Sequence, residues 1–149
     1  MNDGPSAHLL WTELACRDLS RTAYPRDWRL TRALEVAELF EAFRAWCGSK
    51  PLIVLSAYRT PAWNAHVKGA RHSQHMQGRA LDLTRPGWTV ARLHHEARRF
   101  MKGHPLLIGG LGFYPRFVHV DTRETDRFVV WHGGRTSAEV QKRRPLADV

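Results

Sequence analysis

The sequence predicts an α+β domain, with a small central, mainly antiparallel sheet and helices packed on it. Three observations predict this class. Two stretches carry apolar residues at three- and four-residue steps, the period of an amphipathic helix. Four short runs, PLIVLS, ALDL, RFVHVDT and RFVVW, have strand length and are bounded by turn residues. The 149 residues make about one domain, and Pro and Gly are scattered as turn punctuation, with no repeat or low-complexity linker.

The chain opens MNDGPSAHLLWTELA, which lacks a basic segment followed by an apolar one. No secretory leader is visible there, and cytoplasmic synthesis is the default expectation. From Leu30 to Cys47, the residues Leu30, Ala33, Leu34, Ala37, Phe40 and Phe43 mark one helical face, and Gly48 supplies the stop. The run PLIVLS, Pro51 to Ser56, reads as a strand. After the turn AYR, Thr60 can cap a helix that has Pro61 at its first position. A strand follows at ALDL, and a second amphipathic helix runs from about Thr89 to Met101. That helix packs through Val90, Leu93, Ala97 and Phe100, and Gly103 ends it. Arg92, His94, His95, Arg98 and Arg99 fall on its flanks and outer face, a solvated surface.

The three glycines of PLLIGGLGFY, Pro105 to Tyr114, predict a tight bend or a close backbone approach. The strand RFVHVDT comes next, and RFVVW, Arg127 to Trp131, is expected to pair with it as a hairpin through RETD. From Gly133 onward the chain is polar and basic, ending QKRRPLADV, and reads as a surface tail. A single domain over 1–149 is expected, with its core at about 8–132.

Bulk composition excludes some classes and leaves others open. With 43% hydrophobic residues and no apolar run near the roughly 18 a membrane span needs, a spanning helix is not expected. Twenty-three Lys and Arg against 14 Asp and Glu give a net charge of +9. Such a charge draws a protein toward polyanions: nucleic acid, anionic lipid or an anionic cell wall. Cys16 and Cys47 are too few for a disulfide framework and lack CxxC spacing. Buried free thiols are expected, or one bridge in an oxidising compartment.

The chemistry begins with a carboxylate in the wrong place. Asp82 interrupts ALDL between Leu81 and Leu83, and burying its charge unpartnered would cost several kcal/mol. Strand alternation puts Ala80 and Asp82 on one face, and likewise Phe117, His119 and Asp121, with Val118 and Val120 opposite. If these strands pair, His119 and Asp82 converge. With His75 from the preceding loop, the set is two imidazoles and a carboxylate, suited to zinc in a tetrahedral site whose fourth position is open. Nine histidines make chance juxtapositions easy, so spacing alone is a weak signal.

The segment SQHMQGRALDL places Ser73, His75, Gly78, Ala80 and Asp82 on the pattern S-x-H-x-x-G-x-A-x-D. It resembles the zinc D-alanyl-D-alanine carboxypeptidases and their relatives, including VanX-type dipeptidases, phage endolysin peptidases and the hedgehog signalling domain. LSAYRT, Leu55 to Thr60, is similar to the family's S-x-Y-R segment. GGLGFYPRFVHVDTR and LLWTELACRD resemble its small bacterial and phage branch. The resemblance covers about residues 8–132. It implies a hedgehog/D-Ala-D-Ala carboxypeptidase-like fold and one zinc ion per chain held by His75, Asp82 and His119. It further implies that Arg59 holds the substrate carbonyl or the developing oxyanion.

Several members carry a glutamate three residues before the last histidine, where this chain has Arg116, which cannot accept a proton at neutral pH. Asp121 is the nearest replacement as base or acid; it could instead orient a ligand histidine. Ser73 and Gln74 are expected to hydrogen-bond substrate or to cap the loop, with Tyr114 and His72 as weaker candidates. The implied activity is metal-assisted hydrolysis of peptidoglycan stem-peptide or cross-link bonds, by a carboxypeptidase or endopeptidase. A phage or prophage lysis enzyme fits this, as does a bacterial enzyme with a trimmed leader. The expected partners are the peptide and the anionic wall, and a monomer is expected. Two other readings stand beside it: a catalytically inactive, zinc-stabilised wall-binding module, and a basic nucleic-acid-binding protein, although no nucleic-acid motif is present.

Overall fold

The computed structural model describes residues 3–133 and a two-residue strand at Arg144–Pro145. The remainder of the expected basic tail lies outside the described residues. Four helices, α1 (Trp11–Leu14), α2 (Arg32–Trp46), α3 (Pro61–His66) and α4 (Val90–Gly103), accompany five strands. The strands are β1 (Ile53–Ser56), β2 (Ala80–Thr84), β3 (Gly110–Phe113), β4 (Val118–Asp121) and β5 (Val129–His132), and they lie in the order β1-β2-β4-β3-β5, with Arg144–Pro145 beyond β5. All pairings are antiparallel except β3 with β5. The expected α+β class is the one observed. No helix among the described residues is long and apolar enough to cross a membrane.

Strand alternation divides the sheet into two unlike faces. Leu81 and Leu83 of β2, Leu111 and Phe113 of β3, Val118 and Val120 of β4, and Val130 of β5 all belong to the hydrophobic core. The two long helices contribute to the same core. From α2 come Ala33, Val36, Ala37, Leu39, Phe40 and Phe43; from α4 come Leu93, Ala97, Phe100 and Met101. Phe43 meets Phe100 edge-on at 5.1 Å between ring centroids. Each such fully buried side chain contributes about 1.5–3 kcal/mol from area removed from water. Thr60 caps α3 by accepting the Trp63 N–H at 3.1 Å, and Thr89 caps α4 by accepting the Arg92 N–H at 3.1 Å.

Three expectations need correction. Leu30 lies before α2 and is exposed, and Leu34 points outward; Val36 and Leu39 carry the buried face in their place. PLLIGGLGFY contains a strand, β3, where a bend or a close approach is expected, and of the two alternatives the close approach is the one its glycines make. The segment RFVVW does not form a hairpin with RFVHVDT: β4 is flanked by β2 and β3, and β5 pairs in parallel with β3 at the far side. Locally a short crossover and a hairpin connection carry the same turn residues, so the sequence does not distinguish them. Cys16 and Cys47 are free and buried, and burial pushes the Cys47 thiol up to about 12.

The opposite face carries the polar groups, in register across the strands. Ser56, Asp82, His119, Gly112 and Trp131 form one row across β1, β2, β4, β3 and β5. The glycine in that row has a steric cause. A Cβ on Gly112 would lie 2.7 Å from the Trp131 ring, which folds over the vacancy toward His119. Gly112→Ala is therefore expected to destabilise the fold by about 1–3 kcal/mol, read as a lowered urea midpoint with an unchanged slope.

Candidate metal centre

Asp82 and His119 stand directly opposite each other where β2 and β4 pair. Because Leu81, Leu83, Val118 and Val120 fill the core beneath, alternation forces both polar groups onto the other face. His75 arrives from the loop between α3 and β2, and that loop is fixed at three points. The His75 N–H donates to Ser73 Oγ at 3.2 Å, the Arg59 N–H donates to the His75 carbonyl at 3.0 Å, and the Tyr24 hydroxyl donates to the Gly78 carbonyl at 2.6 Å. Gly78 has a φ of +67°, and a Cβ there would lie 2.7 Å from the Trp28 ring. Both conformation and space demand glycine at that turn.

The two imidazoles each have one lone pair to offer, and both aim it at Asp82. His75 Nδ1 lies 2.6 Å from the Ala57 carbonyl, which can only accept, so Nδ1 carries the proton and Nε2 is bare. His119 Nε2 lies 2.7 Å from Asp121 Oδ2, so this nitrogen donates and Nδ1 is bare. These bare nitrogens stand 3.1 Å (His75) and 3.2 Å (His119) from the same oxygen, Asp82 Oδ1. With both rings neutral, three lone pairs meet with no proton between them. Such an arrangement is repulsive unless a cation occupies the gap.

The distances fit a metal ion. Bonds of 2.0–2.1 Å in tetrahedral geometry place neighbouring donors about 3.3 Å apart, close to the separations here, and the three ligand atoms all lie within 4.8 Å of one another. Burial keeps His75 below its usual pKa, outweighing the nearby Asp82 carboxylate, so its ring stays neutral. At His119 burial acts in the same direction, but hydrogen bonds with Asp121 and Asp82 outweigh it and raise the pKa. A proton and a metal ion thus compete for the His119 lone pair. Burial alone would raise Asp82, yet an imidazole that takes up a second proton and turns it toward the carboxylate holds it well below the usual range.

The other expected residues divide between the cleft and its surroundings. The cleft in front of the triangle is lined by Arg59, Ser73, Gln74, Tyr114, Phe117 and Trp131, among others. Arg59 Nη2 reaches Asp82 Oδ2 at 3.5 Å, Nη1 donates to Asn64 Oδ1 at 3.2 Å, and Nε donates to Ser56 Oγ at 3.4 Å. Buried Asn64 is itself pinned, donating to the Ala70 carbonyl at 3.0 Å. Tyr114 accepts the Trp131 indole N–H at 2.9 Å and stacks on Phe117. His72 and Arg116 are exposed and do not line the cleft.

Asp121 is fully buried behind His119 and is not among the cleft-lining residues. Burial would raise its pKa, but Arg123 and His119 hold the carboxyl well below the usual range. Asn64, Arg123 and Trp131 are the site residues that sequence reasoning passed over. For Arg123 and Trp131 the glycines opposite β4 were the one signal, since a G-x-G strand leaves room that larger neighbours must fill.

A family model described as Peptidase M15 matches residues 7–121. The chain belongs to the Peptidase M15 family. No individual curated protein matches it. The matched residues include all three members of the triangle, so the Peptidase M15 assignment and the converging lone pairs, two independent observations, identify a metallopeptidase. Titrating Zn2+ into metal-free protein is expected to raise its stability by about 2.7 kcal/mol at a hundredfold excess over Kd. Thermal melts across the titration check this, and a flat midpoint would contradict the lone-pair argument.

Proposed function

We propose that this chain is a zinc-dependent peptidase that hydrolyses stem-peptide or cross-link bonds of peptidoglycan. The observation that carries the reading is the triangle of His75, Asp82 and His119, each with a lone pair aimed at one point and with Arg59 beside it at the cleft. These three residues would hold the zinc. When bound there, zinc supplies Lewis acidity, which activates water and polarises a scissile carbonyl. Arg59, braced by Asn64 and Ser56, faces the position where the carbonyl oxygen gains charge and shares that charge. Gln74 and Tyr114 line the cleft as hydrogen-bonding contacts for the peptide backbone. Ser73, whose Oγ accepts the His75 N–H, holds the ligand loop as well as facing the cleft.

Asp121 takes the orienting task. Its carboxylate accepts from His119 Nε2 and from Arg123, which fixes the His119 tautomer and leaves Nδ1 free for the metal. The net charge of +9 supports docking on an anionic wall, and the resemblance to the small bacterial and phage branch supports a lysis role. A nucleic-acid module finds less support: Arg29 lies over Trp11, Arg32 over Trp28, and both Arg85 and Arg92 over Trp88, so the protein's own cations occupy aromatic faces that bases would stack on.

One observation favours the second reading, a zinc-stabilised wall-binding module. Among the described residues, Asp82 is the only carboxylate lining the cleft. Incubating purified peptidoglycan with zinc-loaded protein separates the two. New peptide termini by mass spectrometry, absent for His75→Ala and Asp82→Ala proteins that have lost the metal, are expected for the peptidase. About one zinc per chain without new termini would establish the binding module. Arg59→Ala is expected to keep its zinc and lose about 10²–10³ in kcat, the cost of one oxyanion contact; measured kcat and metal content on the same sample check it.

A further inference from the structure

We infer that Arg123 is a positioning residue for the metal site, acting through Asp121 on His119. The inference rests on the reading that the triangle holds a metal. Arg123 follows β4 by two residues and lies in the RETD segment, where the sequence suggests only a turn. Its side chain is buried, 7% exposed, against a carboxylate with no exposure at all. Arg123 Nε donates to Asp121 Oδ1 at 2.9 Å and Nη2 donates to Oδ2 at 2.6 Å, a two-pronged contact that fixes the plane of the carboxylate. The Arg123 backbone N–H adds a third contact, to Oδ1 at 3.1 Å. Oδ2, held by the guanidinium, is the atom that accepts from His119 Nε2 at 2.7 Å.

Two neighbours show that the fold reserves space for this chain of contacts. A Cβ on Gly110 would lie 2.4 Å and 2.5 Å from the two Asp121 oxygens and 2.6 Å from Arg123 Nε. Only glycine in β3 leaves the ion pair room to lie flat on the sheet. On the cleft side, the Trp131 ring backs both ends, with its centroid 5.0 Å from the Arg123 guanidinium carbon and 4.9 Å from the His119 ring. A surface ion pair would be worth little and would need neither device. Here the guanidinium holds Asp121, Asp121 holds the His119 tautomer, and the tautomer decides which nitrogen faces the metal.

The test is zinc affinity, measured by competition with a chromophoric chelator on the full chain, with thermal midpoints of the metal-free proteins taken alongside. Arg123→Ala is expected to weaken zinc binding about 10- to 100-fold. Arg123→Lys keeps the charge but not the fork and should fall between it and the wild type. Gly110→Ala, which keeps Arg123 in the sequence but crowds both the carboxylate and the guanidinium out of their contact, should weaken zinc in the same direction. Unchanged zinc affinity in Arg123→Ala would overturn the inference even if its midpoint fell, because Arg123 would then be a structural brace alone. Should that variant fail to fold, the Lys and Gly110→Ala proteins decide by the same comparison. Wild-type protein that binds no zinc would remove the proposed function and this inference together, a result distinct from the loss of the Arg123 effect alone.

Discussion

The buried carboxylate of Asp82 is the constraint around which the molecule is arranged. An ionised group enclosed between Leu81 and Leu83 is tolerable only where positive charge reaches it. Arg59 meets that demand at one oxygen, while the other faces two imidazole nitrogens. The arrangement is unbalanced in an informative way. Both imidazole protons are already directed outward, to Ala57 and Asp121, so the inward side is rich in electron pairs. A divalent cation held by all three groups resolves that imbalance, and it does so in competition with a proton at His119.

Everything that positions these atoms is ordinary fold physics. Two helices and one sheet face form a dry core, and that core turns Asp82, His119 and Asp121 to the opposite side. The polar face is thus a by-product of packing the other face well. Ala80 sits beside Asp121 in the sheet, Gly110 and Gly112 lie opposite Asp121 and His119, and none of the three competes for space. Small residues beside large polar ones give the face its relief: a raised Trp131 wall, and a floor of strand backbone from which the ligands rise.

Much of this was legible in the sequence, and the reason is periodicity. An aspartate out of place in an apolar strand, and a histidine two residues before another aspartate, are visible because strand alternation has a period of two. The His75, Asp82 and His119 grouping follows from that pattern together with the family resemblance. What was not legible depends on topology. Nothing between Asp121 and Val129 distinguishes a hairpin from a crossover, and so the neighbour of β5 was misassigned. Leu30 and Leu34 fit the helical spacing as well as Val36 and Leu39 do, and only the direction of the core decides between them. Arg123 looked like a turn residue because its partner, Asp121, is only two positions away and already had a role of its own. Asn64, within a short helix, gave no sign that it would brace an arginine.

The parallel pairing of β3 with β5 divides the site along the chain in an unexpected way. All three metal-facing residues fall inside the matched stretch 7–121, whereas Arg123 and Trp131, which back and wall the cleft, fall after it. The matched stretch supplies the three metal-facing side chains, and the segment after it supplies the guanidinium and the indole that back them. A lineage could therefore reshape the wall at Trp131, but an exchanged connection would have to bring its own cation for Asp121, because the centre leans on a residue that lies beyond its ligands.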